Sequence, residues 1–263
     1  SIDYVKRFNK DFDMSFKGTF TYAHNKVLEY DEPDFQKYPN ISRVGHSIDQ
    51  QLLYIADRLF IDDAEVKRSP KQNIGGWVSG GDIKYLDQPD VNGNYDNVID
   101  SNDRQYTGMP TTPEIVYGFG PSFRYKKFDF SFFFQGAARV SIMMNGIHPF
   151  GDGETRSVLQ FIADDYWSED NQNIYAKYPR LSKRDNPNNT AWSTYWQRNG
   201  AFLKLKNAEI GFNHKFFRIY LRGSNLLTFS PFKYWDPEMG SGSGLSYPTQ
   251  RVFNVGVQFS INK

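Results

Sequence analysis

The chain lacks cysteine, a large net charge and long apolar runs, and each absence removes a class of structure or function. With no cysteine among 263 residues, disulfides and thiol chemistry are excluded. The 31 basic and 30 acidic side chains give a formal net charge of +1, so no basic excess points to nucleic acid. No stretch of about 18 apolar residues is present, so we expect no transmembrane helix.

Patterns that carry catalysis are missing as well. The Gly240–Gly244 stretch reads as a flexible loop and not as a phosphate-binding one, and no Ser/His/Asp set stands out. The paired carboxylates Asp164 and Asp165 fall on an expected surface helix. The histidines are scattered without metal-ligand spacing: His24, His46, His148 and His214. We therefore expect no enzyme.

Aromatic residues in strict alternation dominate what is present. The chain has 23 Phe and 17 Tyr, which favour strands. From Phe12 to Tyr22 apolar and polar residues alternate over about eleven positions, near the length of a tilted strand that crosses a bilayer. Strands of a sandwich are usually about five or six residues long. The length therefore favours a membrane barrel over a sandwich.

The same alternation predicts eight or nine strands, mostly joined as hairpins. One hairpin spans Glu114–Ile142 with its turn at Lys126-Lys127. Another begins near Ala201, contains a β-bulge near Asn207 because the apolar phase slips there, and turns at His214-Lys215. Further elements are predicted as follows: strands at Ile2–Tyr30 (two), Gln51–Phe60, Trp77–Leu86 and Arg251–Ile261, a helical turn within Asp62–Gln72, and a short helix at Glu154–Trp167.

The two faces of these strands carry different chemistry. We expect the apolar faces, which include Phe132, to meet lipid. The polar face carries a group of charged side chains, namely Lys204, Lys206, Glu209, Arg218 and Arg222. These residues would face the lumen of a barrel, where they could contact a polar substrate or a plug or could form an ion-pair network, and the network is the favoured interpretation.

Three stretches carry a family resemblance. The run FLKLKNAEIGF from Phe202, continued by IYLRGSNLLTFSPFKYWDPE up to Glu238, resembles the C-terminal signature of the SusC/RagA-like TonB-dependent transporters. The segments Gly81–Tyr85 (GDIKY) and Arg43–Phe60 are similar to other family segments. The resemblance implies an all-β fold whose antiparallel transmembrane strands form part of a barrel of roughly 22 strands, with long extracellular loops and a short helix. It also implies the outer membrane of a Gram-negative bacterium.

The resemblance further implies a division of labour between this chain and other polypeptides. Residues 1–263 would be the C-terminal part of the barrel, with the plug and the N-terminal strands absent from this chain. The sequence has no initiator Met and no signal peptide, so it reads as a fragment or processed piece. We expect the strand near Ile2 and the strand ending at Ile261 each to pair with another polypeptide and not with each other.

The function implied is TonB-dependent import of nutrient oligomers, either glycans or oligopeptides. The implied partners are the remainder of the barrel and its plug, a SusD-like surface lipoprotein, TonB acting through the missing N-terminal part, and membrane lipid. Two other classes remain open. One is a secreted carbohydrate-binding β-sandwich, and the other is a surface-layer or adhesin barrel without a plug.

An acidic loop follows the GDIKY segment, in the neighbourhood where the family often has an EF-hand-like run. Its oxygen-bearing side chains suit a hard cation such as calcium. The candidate ligands are Asp90, Asn92, Asn94, Asp96, Asp100 and Asp103. The alternative is a loop whose Asp and Asn side chains bond their own backbone. No cofactor is otherwise required.

Two further groups are candidate functional residues. Trp192, Tyr195, Trp196 and Trp235 could stack on sugar rings or peptides, or could form an aromatic belt or pack within the loops. At the C-terminus, Asn254, Gly256, Phe259 and Ile261 resemble the signal by which outer-membrane barrels are recognised for insertion. The alternative for this second group is an ordinary amphipathic last strand.

Overall fold

A computed structural model describes residues 1–147 and 157–260. His148, Glu154 at the start of the predicted helix, and Ile261 of the predicted assembly signal lie outside these residues. The strands are β1 Ile2–Arg7, β2 Phe12–Tyr22, β3 Gln51–Tyr54, β4 Ala56–Leu59, β5 Lys71–Gln72, β6 Ile83–Tyr85, β7 Val98–Ile99, β8 Arg104–Thr107, β9 Ile115–Tyr125, β10 Phe128–Ala138, β11 Ser141–Met143, β12 Gln197–Asn199, β13 Phe202–Asn213, β14 Phe217–Phe229 and β15 Val252–Phe259. The helices are α1 Asp63–Arg68, α2 Gln160–Asp164 and α3 Pro187–Thr190, with 3₁₀ turns that include Ser101–Asp103 and Pro237–Met239.

Seven long strands form one open antiparallel sheet, here called the main sheet. Its order is β1-β2-β9-β10-β13-β14-β15. Within the described residues β1 pairs only with β2 and β15 only with β14, so the sheet does not close on itself. The expectation of long antiparallel strands without ring closure is thereby confirmed, although the sheet has seven strands where the sequence predicted eight or nine.

The predicted hairpin details are largely confirmed. Two residues join β9 to β10 at Lys126-Lys127, and three residues join β13 to β14. The pairing of β13 with β14 shifts between Leu205 and Asn207, which is the predicted bulge. A bulge is needed because the apolar residues change phase at this point, and without it one half of the strand would present the wrong face.

The connections at the two ends of the main sheet differ greatly in length. At one end the turns are short. At the other end the strands are joined by the segments 23–114, 139–201 and 230–251. The described residues of these three segments pack together, and we call them the loop layer.

The buried apolar core lies in the loop layer and not in the main sheet. Its largest cluster consists of Leu53, Leu59, Ile83, Tyr85, Ile99, Ile142, Met143, Met144, Ile147, Ile162, Trp167, Ala176, Tyr178, Trp196 and Phe232. On the main sheet, large apolar side chains are exposed; Phe20 is 65% exposed and Phe259 76%. No described helix combines the length and the apolar character needed to span a membrane.

Two predicted long strands belong instead to the loop layer, which is a correction. The stretch Gln51–Phe60 forms only β3 and β4, and Trp77–Leu86 forms only β6. The chain is interrupted between β3 and β4 because backbone amides there bond outside any sheet: Tyr54 donates to the Trp192 carbonyl and Ala56 to the Thr194 hydroxyl. β3 pairs with β8, and β4 pairs with β6, each in a small two-stranded sheet.

The helical predictions fall within the same layer. The helical turn expected between residues 62 and 72 is α1, whose N-cap Asp62 accepts a hydrogen bond from the Glu65 amide at 2.7 Å. Of the predicted helix, the described part contains α2, a single short helix of five residues. Both helices help to fill the loop layer and neither belongs to the wall of strands.

Candidate functional site

The charged side chains of β13 are tied to carboxylates of the same chain. Lys204 is fully buried, and its Nζ lies 2.5 Å from both Asp236 Oδ2 and Glu238 Oε2. Lys206 Nζ lies 2.7 Å from Glu238 Oε1. Further along the sheet, Arg218 binds carboxylates on the two preceding strands, Asp129 and Glu209. An ion-pair network is therefore observed for Lys204, Lys206, Glu209 and Arg218. Arg222 instead donates a hydrogen bond to the side-chain oxygen of Asn207 at 3.4 Å.

The ion pairs of Lys204 and Lys206 connect the main sheet to the loop layer. Asp236 and Glu238 belong to the 3₁₀ turn that follows Trp235, and the Asp236 side chain caps this turn by accepting from the Glu238 amide. A buried lysine without partners would be very unfavourable, so its two carboxylates fix where the turn must sit. The Lys-x-Lys and Asp-x-Glu spacings are visible in the sequence, but their meeting depends on the tertiary fold.

The four candidate substrate-contact aromatics occupy different environments. Trp192 is 49% exposed. Trp235 is partly buried, packs edge-on against Phe232 at 4.6 Å between ring centroids, and donates its indole N–H to the Gly240 carbonyl. Among these side chains Trp192 is the most accessible to a ligand in the described structure.

Tyr195 and Trp196 are engaged in packing. Their rings meet edge-to-face at 4.8 Å, and Trp196 is buried with its indole N–H bonded to the Asn189 carbonyl at 2.7 Å. Tyr195 donates its hydroxyl to the Ala176 carbonyl at 2.8 Å, and burial raises the pKa of its phenol. The position of Trp196 is that of a core residue, which is the loop-packing alternative stated above. Substrate contact by this group stays a prediction.

In the acidic loop the side-chain oxygens mainly serve the loop's own backbone. Asp90 Oδ1 accepts from the amides of Asn92 and Asn94 at 2.8 and 3.0 Å, and Asp96 accepts from Val98 at 2.9 Å. Asp100 and Asp103 form a reciprocal capping box around the 3₁₀ turn. These are the Asx-type turns of the alternative interpretation.

Asp103 is the buried residue among the candidate ligands of this loop. Its two oxygens accept from the amides of Gln88 and Asp100, each at 2.7 Å. Burial raises the pKa of the Asp103 carboxyl to about 6, and the negative charge of Asp87 adds to the effect. Within the described residues no group of three or more His, Asp or Glu side chains is arranged to hold a metal. The arrangement does not form a ready cation cage, and calcium binding here stays a prediction.

The assembly-signal residues lie on β15, an edge of the main sheet. Asn254 and Phe259 are exposed, and Gly256 is paired with Tyr220 of β14. A Cβ atom at Gly256 would lie 2.3 Å from Tyr220 Cζ, so only glycine lets this aromatic ring lie across the strand. Recognition of this strand during assembly stays a prediction.

Sequence reasoning missed two features of the loop layer. The first is buried Glu65, which receives Arg58 Nη2 at 2.5 Å and Lys84 Nζ at 2.9 Å. The hydrogen bond from Arg58 is the main cause that lowers the pKa of Glu65, to about 2. The second is a cavity bordered by Arg198 and Lys233. The ion pairs of Glu65 lie within the first connection, but no sequence pattern singles them out. The cavity joins residues from two separate connections, so it leaves no local signal.

Comparison with known proteins shows which proteins this chain resembles. No family model matches the chain. TonB-dependent receptor P3 of Formosa agariphila is 26% identical across 95% of this chain, and TonB-dependent receptor P26 of the same organism is 27% identical across 89%. The chain spans about a quarter of these relatives, 27% and 26% of their respective lengths. Both are receptors, in agreement with the expectation that the chain is not an enzyme.

Solved structures agree on the fold. The RagAB peptide importer in its open-open state superposes with a TM-score of 0.65 at 18% identity, covering 98% of this chain and 28% of that one. A structure of the RagAB peptide transporter gives 0.66 at 17% identity, with the same coverage. The chain is thus similar to TonB-dependent receptors along nearly all of its length and has the fold of part of a RagAB chain, which confirms the predicted resemblance to SusC/RagA-like transporters and the predicted antiparallel barrel-type fold.

Proposed function

We propose that this chain supplies wall strands and outer loops of an outer-membrane, TonB-dependent transporter that imports nutrient oligomers. The observation that carries the proposal is the asymmetry of the sheet, with short turns at one end and a packed loop layer at the other. Outer-membrane barrels have short periplasmic turns and longer extracellular loops. The loop layer would then face the medium, where a nutrient is captured.

The exposed apolar strands support a wall in lipid. The described residues contain one large sheet and four two-stranded sheets, so they offer no second large sheet for a sandwich core. Val255 and Phe259 on the edge strand are each 76% exposed. In a bilayer such side chains are favourably placed, and the open edges would pair with further strands because unpaired backbone groups are costly in lipid.

The finer parts of the proposal concern partners and cargo. Residues 1–263 would form the C-terminal part of the barrel, with the plug and a TonB-contacting segment supplied by polypeptide outside this chain. A SusD-like surface lipoprotein would cooperate with it, in line with the resemblance to SusC/RagA-like transporters. The cargo would be an oligopeptide or a glycan; the former is the cargo named for RagAB.

Uptake by cells tests this function. The complete receptor gene that encodes this chain would be deleted, and uptake of fluorescently labelled oligopeptides and oligosaccharides measured with and without TonB. We expect uptake of at least one labelled class to require both the receptor and TonB, and complementation to restore it. Uptake that is unchanged by both deletions, or recovery of the receptor in the soluble fraction, would contradict the proposal.

A further inference from the structure

A cavity of about 560 Å³ opens between two of the long connections in the loop layer. Its walls come from the second connection (139–201) and the third (230–251), so only the tertiary fold assembles it. Lysine and arginine side chains stand beside aromatic rings in these walls. The lining residues are Phe161, Lys177, Arg198, Asn199, Pro231, Phe232, Lys233 and Tyr234.

The cations of this cavity are poorly neutralised. Arg198 Nη1 donates to two backbone carbonyls, those of Tyr195 at 2.6 Å and Gln197 at 3.0 Å, and these acceptors carry no charge. Lys233 is exposed, and no carboxylate of the described chain pairs with it. Lys177 is 52% exposed and has one long ion pair, 3.6 Å to Asp165. Among the residues that the structure describes, the cavity therefore presents more positive charge than its neighbours compensate.

A second cavity of about 300 Å³ shares two of these cations. Lys177 and Arg198 border both cavities, and the second adds Arg58 and the ring of Tyr175. Its one acidic side chain, Asp57, already lies 3.8 Å from Arg58 Nε. The two cavities share Lys177 and Arg198 in their linings, and we call the surface of both cavities the cationic groove.

The aromatic walls and the shortage of acceptors restrict the ligand. Phe161 and Tyr234 pack edge-to-face at 4.8 Å, and Phe232 is buried behind them. Apolar walls reduce the local dielectric and strengthen attraction to an anion. In the first cavity Asn199 is the one neutral amide, so the hydroxyl groups of a neutral sugar would find few acceptors. Carboxylates only accept hydrogen bonds and match this lining.

We propose that the cationic groove binds the carboxylate groups of an acidic oligomer, with Lys177, Arg198 and Lys233 as its anion contacts. The inference rests on the proposed function, because it assigns a charge class to the oligomer captured by the outer loops. Acidic sugars and acidic peptides share this chemistry. Charge-assisted hydrogen bonds to such groups are shorter and stronger than neutral ones.

Binding to the complete purified receptor tests the groove. The probes are tetragalacturonate with its methyl ester, and hexaglutamate with hexaglutamine, measured by calorimetry in detergent at low and high salt. We expect at least one anionic probe to bind more tightly than its neutral counterpart, and more weakly at high salt. The sugar and peptide probes distinguish the two sources of carboxylate.

Substitution of the two exposed lysines locates the effect. Lys177→Gln combined with Lys233→Gln should weaken the anionic probe about tenfold and leave its neutral counterpart unchanged. Lys183→Gln is the matched control, since Lys183 is exposed on the same connection and lines neither cavity. Arg198→Gln is less decisive, because Arg198 also holds two backbone carbonyls.

The outcomes separate the groove from transport. Equal affinity of the unaltered receptor for anionic and neutral probes, or undiminished affinity in the double variant, overturns the groove. TonB-dependent uptake measured in the same strains reports on the proposed function independently. If uptake persists and the double variant binds the anionic probe normally, the proposed transport function is supported and the proposed binding groove is wrong.

Discussion

The main sheet and the loop layer of this chain differ in how their apolar side chains are buried. The sheet is regular, with strands up to 13 residues long, yet many of its apolar side chains are exposed. The loop layer has short, irregular elements, yet it contains the whole of the largest buried cluster. We infer that the sheet depends on lipid and on neighbouring strands, whereas the loop layer is held by its own packing.

The ion pairs around Lys204 join these two regions. The buried ammonium of Lys204 and the neighbouring Lys206 contact two carboxylates of the loop layer, Asp236 and Glu238, so the position of the loop layer on the sheet depends on these two cations and two anions. The contrast therefore predicts that substitutions act locally on one region, except at this junction.

The largest expected effect is loss of the loop core. Trp196→Ala should cost about 3–5 kcal/mol in the loop layer, because it leaves a cavity and removes the hydrogen bond to Asn189. Hydrogen exchange should show lost protection in the loop layer, with folding of the barrel retained on heat-modifiability gels. Trp192→Ala, at an exposed position, is the control and should change little. Equal loss of protection in the main sheet would break the distinction between the regions.

Removal of the carboxylates at the junction should be nearly as damaging. Asp236→Asn with Glu238→Gln would leave Lys204 buried without a counter-charge, at a cost of about 3–5 kcal/mol. Adding Lys204→Met should recover most of this loss, since no buried charge then remains. Denaturant unfolding of the unaltered receptor, the double variant and the triple variant measures the loss and the recovery of stability. A triple variant no more stable than the double variant would show that packing, not charge, holds the junction.

The sheet should respond to charge on its apolar face. Phe132 is 40% exposed and lies outside the loop core, as expected for a lipid-facing residue. Phe132→Arg should cost about 2–4 kcal/mol if it lies near the bilayer midplane. The matched control is Ser131→Arg, on the opposite face of the same strand and paired with Glu209 of β13. Folding of the two variants into lipid vesicles measures the free-energy cost of each substitution. Equal costs would contradict the assignment of Phe132 to the lipid-facing side of the strand and Ser131 to the opposite side.

The smallest expected effect is a pH dependence of the acidic loop. Because the pKa of Asp103 is raised from 3.8 to about 6, its contribution to stability is complete below about pH 3.8 and is lost as the pH rises through 6. Hydrogen exchange, corrected for intrinsic rates, should show residues 87–104 better protected at pH 5 than at pH 7.5. Asp103→Asn should flatten this difference, while Asp96→Asn should preserve it. A dependence that survives Asp103→Asn would assign it to another group.

Prediction from sequence succeeded where the pattern is local. Alternation of apolar and polar residues located β2, β9, β10, β13 and β14, and the phase slip at Asn207 located the bulge. It failed for Gln51–Phe60, which alternates weakly and is interrupted by bonds to residues about 140 positions later. A local pattern carries no information about such distant partners.

The candidate site shows the same limit. The sequence identified Trp196 as a large aromatic in a long connection, but not that its indole would be buried against Asn189. It identified the acidic loop, but not that Asp103 alone among the six candidate ligands would be buried. Burial and charge pairing depend on segments far apart in the chain, so residue type and spacing do not reveal them.

By itself, the sequence determined the strand-rich architecture, the absence of thiol chemistry and the family resemblance, because period-two alternation and composition act residue by residue. The tertiary structure alone decided where the core lies, which carboxylates neutralise Lys204, and which cations remain uncompensated around Arg198. The physical reason is that burial and electrostatic pairing are set by distances in space, and the three long connections bring together residues that the sequence keeps apart.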